Sequence, residues 1–249
     1  MAITTGAFII LMAFLTAALS GVFGMAGGLL LKGALALVLP VSATFVVHGL
    51  LQLVANGWRA ILHRRHVDWR IVAVYALGAF TAAGLIGLVV YEPTKATLYL
   101  LMGLVPGLIW LPQGWVKVDA SRPPQAFACG LSVTGMNLTA GVAGPLLDVF
   151  FVRTALTRHA IVATKAATQV FSHLMKVVVY GAPLLAAGGK GVPPWWVFAL
   201  AVPLSMLGTA AGGLVLDRLS DVDFKCYLRL ILTAIGAVYL AQAARLYLG

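Results

Sequence analysis

The chain has 249 residues, 61% of them hydrophobic and 10% charged, with a mean hydropathy of +1.00. A soluble domain of this length carries roughly a quarter charged residues, so these side chains cannot cover a water-facing surface and lipid must be the main solvent. The net charge of +10 fits cytoplasmic loops rich in Lys and Arg. It argues against nucleic acid as a partner, because no compact soluble surface remains to present a basic patch.

The N-terminus lacks the basic n-region of a secretory signal, so membrane structure is expected from about residue 6. The first apolar segment, near 6–39, is interrupted at Gly24-Met-Ala-Gly-Gly28 and ends at Pro40. Spans able to cross roughly 30 Å of hydrocarbon follow near 41–62, 69–90 and 95–112. A second interrupted segment, near 125–152, breaks at Gly141-Val-Ala-Gly-Pro145, and spans near 159–182, 195–216 and 226–247 complete the chain. Inside a bilayer, Gly-rich breaks are tolerated where the freed backbone is buried in protein or lines a cavity. Paired breaks at corresponding positions point to the binding site of a transporter.

The two breaks correspond. Gly24-Met-Ala-Gly-Gly-Leu-Leu30 aligns with Gly141-Val-Ala-Gly-Pro-Leu-Leu147 at an offset of 117, which also pairs Gln52 with Gln169 and Arg59 with Lys176. Thr81-Ala-Ala-Gly84 recurs as Thr209-Ala-Ala-Gly212, after an insertion spanning 187–194. The common order argues for an internal duplication, with repeats at 1–116 and 117–249. If each interrupted segment crosses once, the basic residues divide 8 against 6 between the two sides, with Lys32 placed in a loop. If each enters and leaves on one side, the division is 10 against 4. The positive-inside rule prefers the second arrangement. The expected fold is therefore an all-α polytopic membrane protein of two inverted repeats, each with a Gly-broken, re-entrant first segment.

On the helix near 159–182, Lys165, Gln169, His173 and Lys176 are spaced 4, 4 and 3 apart, which puts them on one face. Their partners under the offset, His48, Gln52, Asn56 and Arg59, are spaced identically near 41–62. A lysine deep in an apolar segment is costly and usually faces a polar interior; snorkelling to an interface is the alternative for Arg59 and Lys176. Asp148 is the acid inside an apolar segment, able to pair with Lys165 or Lys176, to hold a helix end, or to titrate. So few carboxylates leave the stripe short of counter-charge and favour an anionic ligand. Backbone N–H groups at half-helix N-termini attract anions as well, which singles out Gly27, Gly28, Gly144 and Pro145. Asn137 precedes the second break and is a candidate to line the cavity.

His48 and His173 are candidates to bind the anion, to carry a coupled proton, or to hydrogen-bond within the bundle; Asp148 is a third candidate for proton coupling. No metal site is expected, either at His63-Arg-Arg-His66 or at Cys129 and Cys226, and no cofactor is called for. The Gly-rich stretches 78–87 and 208–213 are expected to permit close helix packing.

Taken together, these features resemble the TauE/SafE family of sulfite and organosulfonate exporters. The resemblance is carried by Ser20-Gly-Val-Phe-Gly-Met-Ala-Gly-Gly-Leu-Leu30, its echo Ala140-Gly-Val-Ala-Gly-Pro-Leu-Leu147, and the duplicated layout, over essentially the whole chain. It departs from the family pattern at Leu29-Leu-Leu-Lys32, where a proline is usual, and in having Lys165 opposite His48. The resemblance implies export or exchange of a small sulfur-containing anion such as sulfite or an organosulfonate. That anion and membrane lipid are the partners, a homodimer is a further option, and a bacterial inner membrane is the location. A proton-coupled or exchange-type secondary transporter leads, with an anion channel as the alternative. A membrane-embedded enzyme ranks below both, since the sequence holds no Gly-x-Ser-x-Gly, no His-Glu-x-x-His and no phosphate loop.

Overall fold

The computed structural model describes residues 2–23, 26–89, 93–110, 112, 117–216, 218 and 221–248, without the side chains of residues 158, 216 and 221–225. Ten α-helices and two 3-10 turns make up its regular structure among these residues, with no strand. The helices are α1 (Ile3–Phe23), α2 (Ala26–Val38), α3 (Val41–Leu62), α4 (Trp69–Val89), α5 (Lys95–Leu104), α6 (Pro123–Thr139), α7 (Gly144–Phe151), α8 (Arg158–Ala186), α9 (Trp195–Leu216) and α10 (Asp221–Leu248). Six of them, α1, α3, α4, α8, α9 and α10, are long and apolar enough to cross a membrane. Without water to satisfy exposed peptide groups, a run of some 20 apolar residues has the helix as its one self-sufficient conformation.

The chain divides at the expected breaks. Gly24 and Met25 lie outside the described residues, but α1 ends at Phe23 and α2 begins at Ala26. A Cβ on Gly27 would run into the Thr16 carbonyl oxygen and Ser20. In a straight helix residues 16 and 27 would stand about 16 Å apart, so α2 folds back along the end of α1. Gly141, between α6 and α7, has φ +80°, a conformation that β-carbon sterics deny most residues. The span expected at 95–112 differs: α5 stops at Leu104 and continues as a 3-10 turn over Val105–Trp110. Pro106 lacks the N–H that an α-helical continuation needs.

Packing is reciprocal. Helix α1 lies along α9 and α6 along α4, while α3 crosses α8 and α5 meets α10. Bare backbone makes the closest of these contacts. A Cβ on Gly208 or Gly212 would strike the carbonyls of Phe14 or Ala18 on α1, and one on Gly78 or Gly130 would strike those of Phe127 or Tyr75. Close packing was the expected role of these stretches, and Gly78, Gly208 and Gly212 have it. Gly84, Gly87 and Gly213 meet nothing and face open space.

The outer faces carry exposed Leu11, Leu15, Leu77, Leu88, Leu207 and Leu230, whereas Thr44, His48, Gln52, Asn56, Thr134, Asn137, Thr168, His173 and Lys176 are buried. This polar-in, apolar-out arrangement is what lipid as solvent dictates. Lys32 corrects an expectation. It does not lie in a loop but sits on α2 and is completely buried, because the fold-back of α2 carries it into the interior.

Candidate functional site

Helices α3 and α8 cross with their polar stripes facing each other. Between them and the two breaks lies a cavity of about 90 Å³, several times the roughly 10–15 Å³ that one water needs. Its walls take Gly28 from α2, His48, Gln52, Asn56 and Arg59 from α3, Asn137 from α6, Gly144 from α7, and Lys165, Gln169 and His173 from α8. Of the residues singled out in sequence, Gly27, Pro145, Asp148 and Lys176 are not in this lining. Gly27 is pressed against α1, and Lys176 lies behind the wall with no exposed surface.

Several groups here are already committed. The ring of His48 has Nε2 2.9 Å from the Gly28 carbonyl and Nδ1 3.2 Å from Lys176 Nζ. A carbonyl only accepts, so Nε2 carries the hydrogen and Nδ1 accepts from the lysine. Lys176 also donates to the Gly141 carbonyl at 2.6 Å, and Arg59 donates to the Ser20 carbonyl at 2.9 Å. Two basic side chains thus each hold a carbonyl at or just beyond a helix end, where positive charge is favourable. Lys176 does not snorkel, contrary to the alternative weighed for it. Asn56 donates to Gln52, at 2.9 Å to the carbonyl and 3.3 Å to Oε1.

Lys165 is ion-paired with Asp148 of α7. Of the roles open to Asp148, pairing with Lys165 is the one seen, and it gives the stripe counter-charge at that end: the short α7 turns its carboxylate onto the first turns of α8. Other groups have no partner. Both amide atoms of Asn137, Nε2 of Gln169 and Nδ1 of His173 are buried and lack a hydrogen bond among the described residues. All three residues line the cavity. A buried polar group without a partner costs about 1–3 kcal/mol, so these residues hold unmet hydrogen-bonding capacity beside the cavity.

Sequence reasoning missed the tyrosines that support this site. Tyr75 on α4 meets Ser172 at 2.5 Å, and Ser172 meets Thr134 at 2.7 Å, which ties α4, α6 and α8 together. Tyr180 donates to the Leu138 carbonyl at 2.7 Å and Tyr239 to the Leu29 carbonyl at 2.9 Å, each beside a break. Lys32 was missed as well. Its signal was a single charge in Leu29-Leu-Leu-Lys-Gly-Ala-Leu-Ala36, four residues after Gly28 and hence on the same helical face.

Residues 9–239 match the family model described as sulfite exporter TauE/SafE. The chain belongs to the TauE/SafE sulfite exporter family. No curated protein and no solved structure matches it. The family and the six membrane-length helices make the chain a multi-pass membrane transport protein.

Proposed function

We propose that this TauE/SafE protein is a secondary transporter that exports a small sulfur-containing oxyanion, sulfite or an organosulfonate, across a bacterial inner membrane. The anion binds in the cavity between α3 and α8. The observation that carries this reading is the set of unpartnered buried groups on Asn137, Gln169 and His173, residues that line a cavity together with Lys165. A sulfur oxyanion presents several acceptor oxygens around one centre, which suits convergent donors flanked by a cation.

Lys165, Gln169, His173 and Asn137 hold the anion, with Gln52 and Asn56 opposite and Gly28 and Gly144 admitting it close to backbone N–H groups. His48, Lys176 and Gly27 act as positioning residues, since each is engaged with a break. His173 is the better of the two histidines for a coupled proton, because both nitrogens of His48 are occupied. Asp148 competes with the anion for Lys165.

The two halves, 1–116 and 117–249, are inverted repeats that rock about α3 and α8 to expose the site alternately. The reciprocal packing supports this. Exchanging the halves turns the α1–α9 contact into α6–α4 and leaves α3–α8 and α5–α10 unchanged, as a two-fold axis requires.

The test is uptake and counterflow in proteoliposomes, offered sulfite, sulfoacetate, thiosulfate, sulfate, acetate and chloride. Saturable counterflow of a sulfur oxyanion, weakened by Lys165→Gln, is expected. Flux that does not saturate and shows no counterflow would indicate a channel, and no flux of any sulfur anion would remove the proposal.

A further inference from the structure

Just outside the cavity lining lies a buried lysine that the site described above does not use. Lys32 is completely buried, and its Nζ has no hydrogen-bond partner among the described residues. It sits 3.2 Å from the centroid of the Phe45 ring, whose plane also faces Lys176 Nζ at 5.8 Å. Its Cε fills the space where a side chain on Gly141 would stand. The described carboxylates are engaged elsewhere: Asp148 with Lys165, Asp68 with the N–H groups of Arg70 and Ile71, and Asp119 with that of Ser121. The remaining titratable neighbours are His48 and His173 on the cavity wall, and Tyr99 and Tyr239, which donate to the Gly33 and Leu29 carbonyls of α2.

The separation from the cavity is thin. Gly28 and Leu29 line the cavity one turn before Lys32 on α2, and Val142 lines it next to Gly141. Lys32 is thus one helical turn from the cavity lining along α2 and packs against Gly141, next to that lining. Compensation of positive charge differs among the three lysines. Lys165, at the partly exposed end, has a carboxylate; Lys176 has a carbonyl and an imidazole; Lys32 has an aromatic face and no acceptor. A ring face stabilises a cation but leaves its N–H groups unmet, and an unmet buried ammonium is costly enough that proteins keep one only for a use.

We propose that Lys32 is a second, inner station on the anion path: the oxyanion leaves the Lys165 end of the cavity, passes between the breaks and is held by Lys32 Nζ. This rests on the anion-transport reading. Passage through a membrane needs sites that bind in sequence without trapping, and Lys165 in the cavity lining with Lys32 just outside it supplies a pair.

The experiment compares the full-length protein with Lys32→Met and Lys32→Gln, which remove the charge at similar length. Sulfite binding is read by calorimetry in detergent, transport by counterflow in proteoliposomes, and folding by melting temperature. Both variants should bind sulfite within about threefold of the parent, yet transport at least about tenfold more slowly, as expected where a buried charge serves the passage and not entry. Lys32→Met should melt no lower than the parent, since it relieves an unmet charge. Parental transport rates in either folded variant would overturn the proposal. So would a fall in melting temperature together with a loss of sulfite binding in both, which would make Lys32 a packing residue. If the parent itself neither binds nor carries a sulfur oxyanion, the underlying reading fails first, and the two failures are told apart by the parent's own data.

Discussion

The ion pair between Lys165 and Asp148 makes a two-signed prediction. If Asp148 competes with the substrate for Lys165, then Lys165→Gln and Asp148→Asn must change anion affinity in opposite directions. An anion about 4 Å from the ammonium gains ~4 kcal/mol at an effective dielectric of about 20, and a carboxylate at about 6.5 Å returns ~2.5 kcal/mol of repulsion. These are upper limits, because the side chains of Lys165 and Asp148 are 19% and 39% exposed and water screens pairs that are open to it. After that discount, Lys165→Gln should weaken binding by about 10–30-fold, or ~1.4–2 kcal/mol. Asp148→Asn should strengthen it by about fivefold, or ~1 kcal/mol, and the double variant should fall between the two. Calorimetric titration of sulfite against the four proteins in detergent measures all the terms. Loss of affinity in Asp148→Asn to the same extent as in Lys165→Gln would refute the argument, because the pair would then be acting as a unit that shapes the site.

Three further outcomes follow from the packing. Lys176→Met should lower the melting temperature, because it strands the Gly141 carbonyl and His48 Nδ1 at about 1–3 kcal/mol for each buried group; an unchanged melting curve would show that the lysine does not hold the break. Gly27→Leu should be more damaging than Gly213→Leu, since its side chain meets the Thr16 carbonyl and Ser20 whereas Gly213 faces open space. The overpacking cost is about 1–3 kcal/mol, read as relative yield and thermal stability in detergent. Tyr75→Phe should cost about 1 kcal/mol of stability by breaking the Ser172 link, while sulfite affinity stays unchanged; a selective loss of affinity would place Tyr75 in the site.

The spans at 41–62, 69–90 and 195–216 could be read directly, and α3, α4 and α9 occupy almost the same residues. Membrane helices are legible because apolar length and the 1.5 Å rise are properties of the local chain. The same periodicity put His48, Gln52 and Asn56 on one face and Lys165, Gln169 and His173 on another. Glycine and proline marked where the helices must stop, at Pro40 and at 141–145. The resemblance to TauE/SafE was visible on the same grounds, since its Gly-rich motifs are those breaks.

What each charge does was decided elsewhere. Lys165 is compensated by a carboxylate 17 residues away, Lys176 by a histidine 128 residues away, and Lys32 by a ring alone. At Lys32 the sequence offered only a single charge in an apolar run; the reversal between α1 and α2 makes the difference by carrying it inward. Likewise Gly78 and Gly84 look alike along α4, yet one meets the backbone of α6 and the other meets nothing. A pattern of spacings determines which residues share a face. The solvation of a charge or the clearance around a glycine depends on atoms from other helices, and those arrive only when the bundle closes.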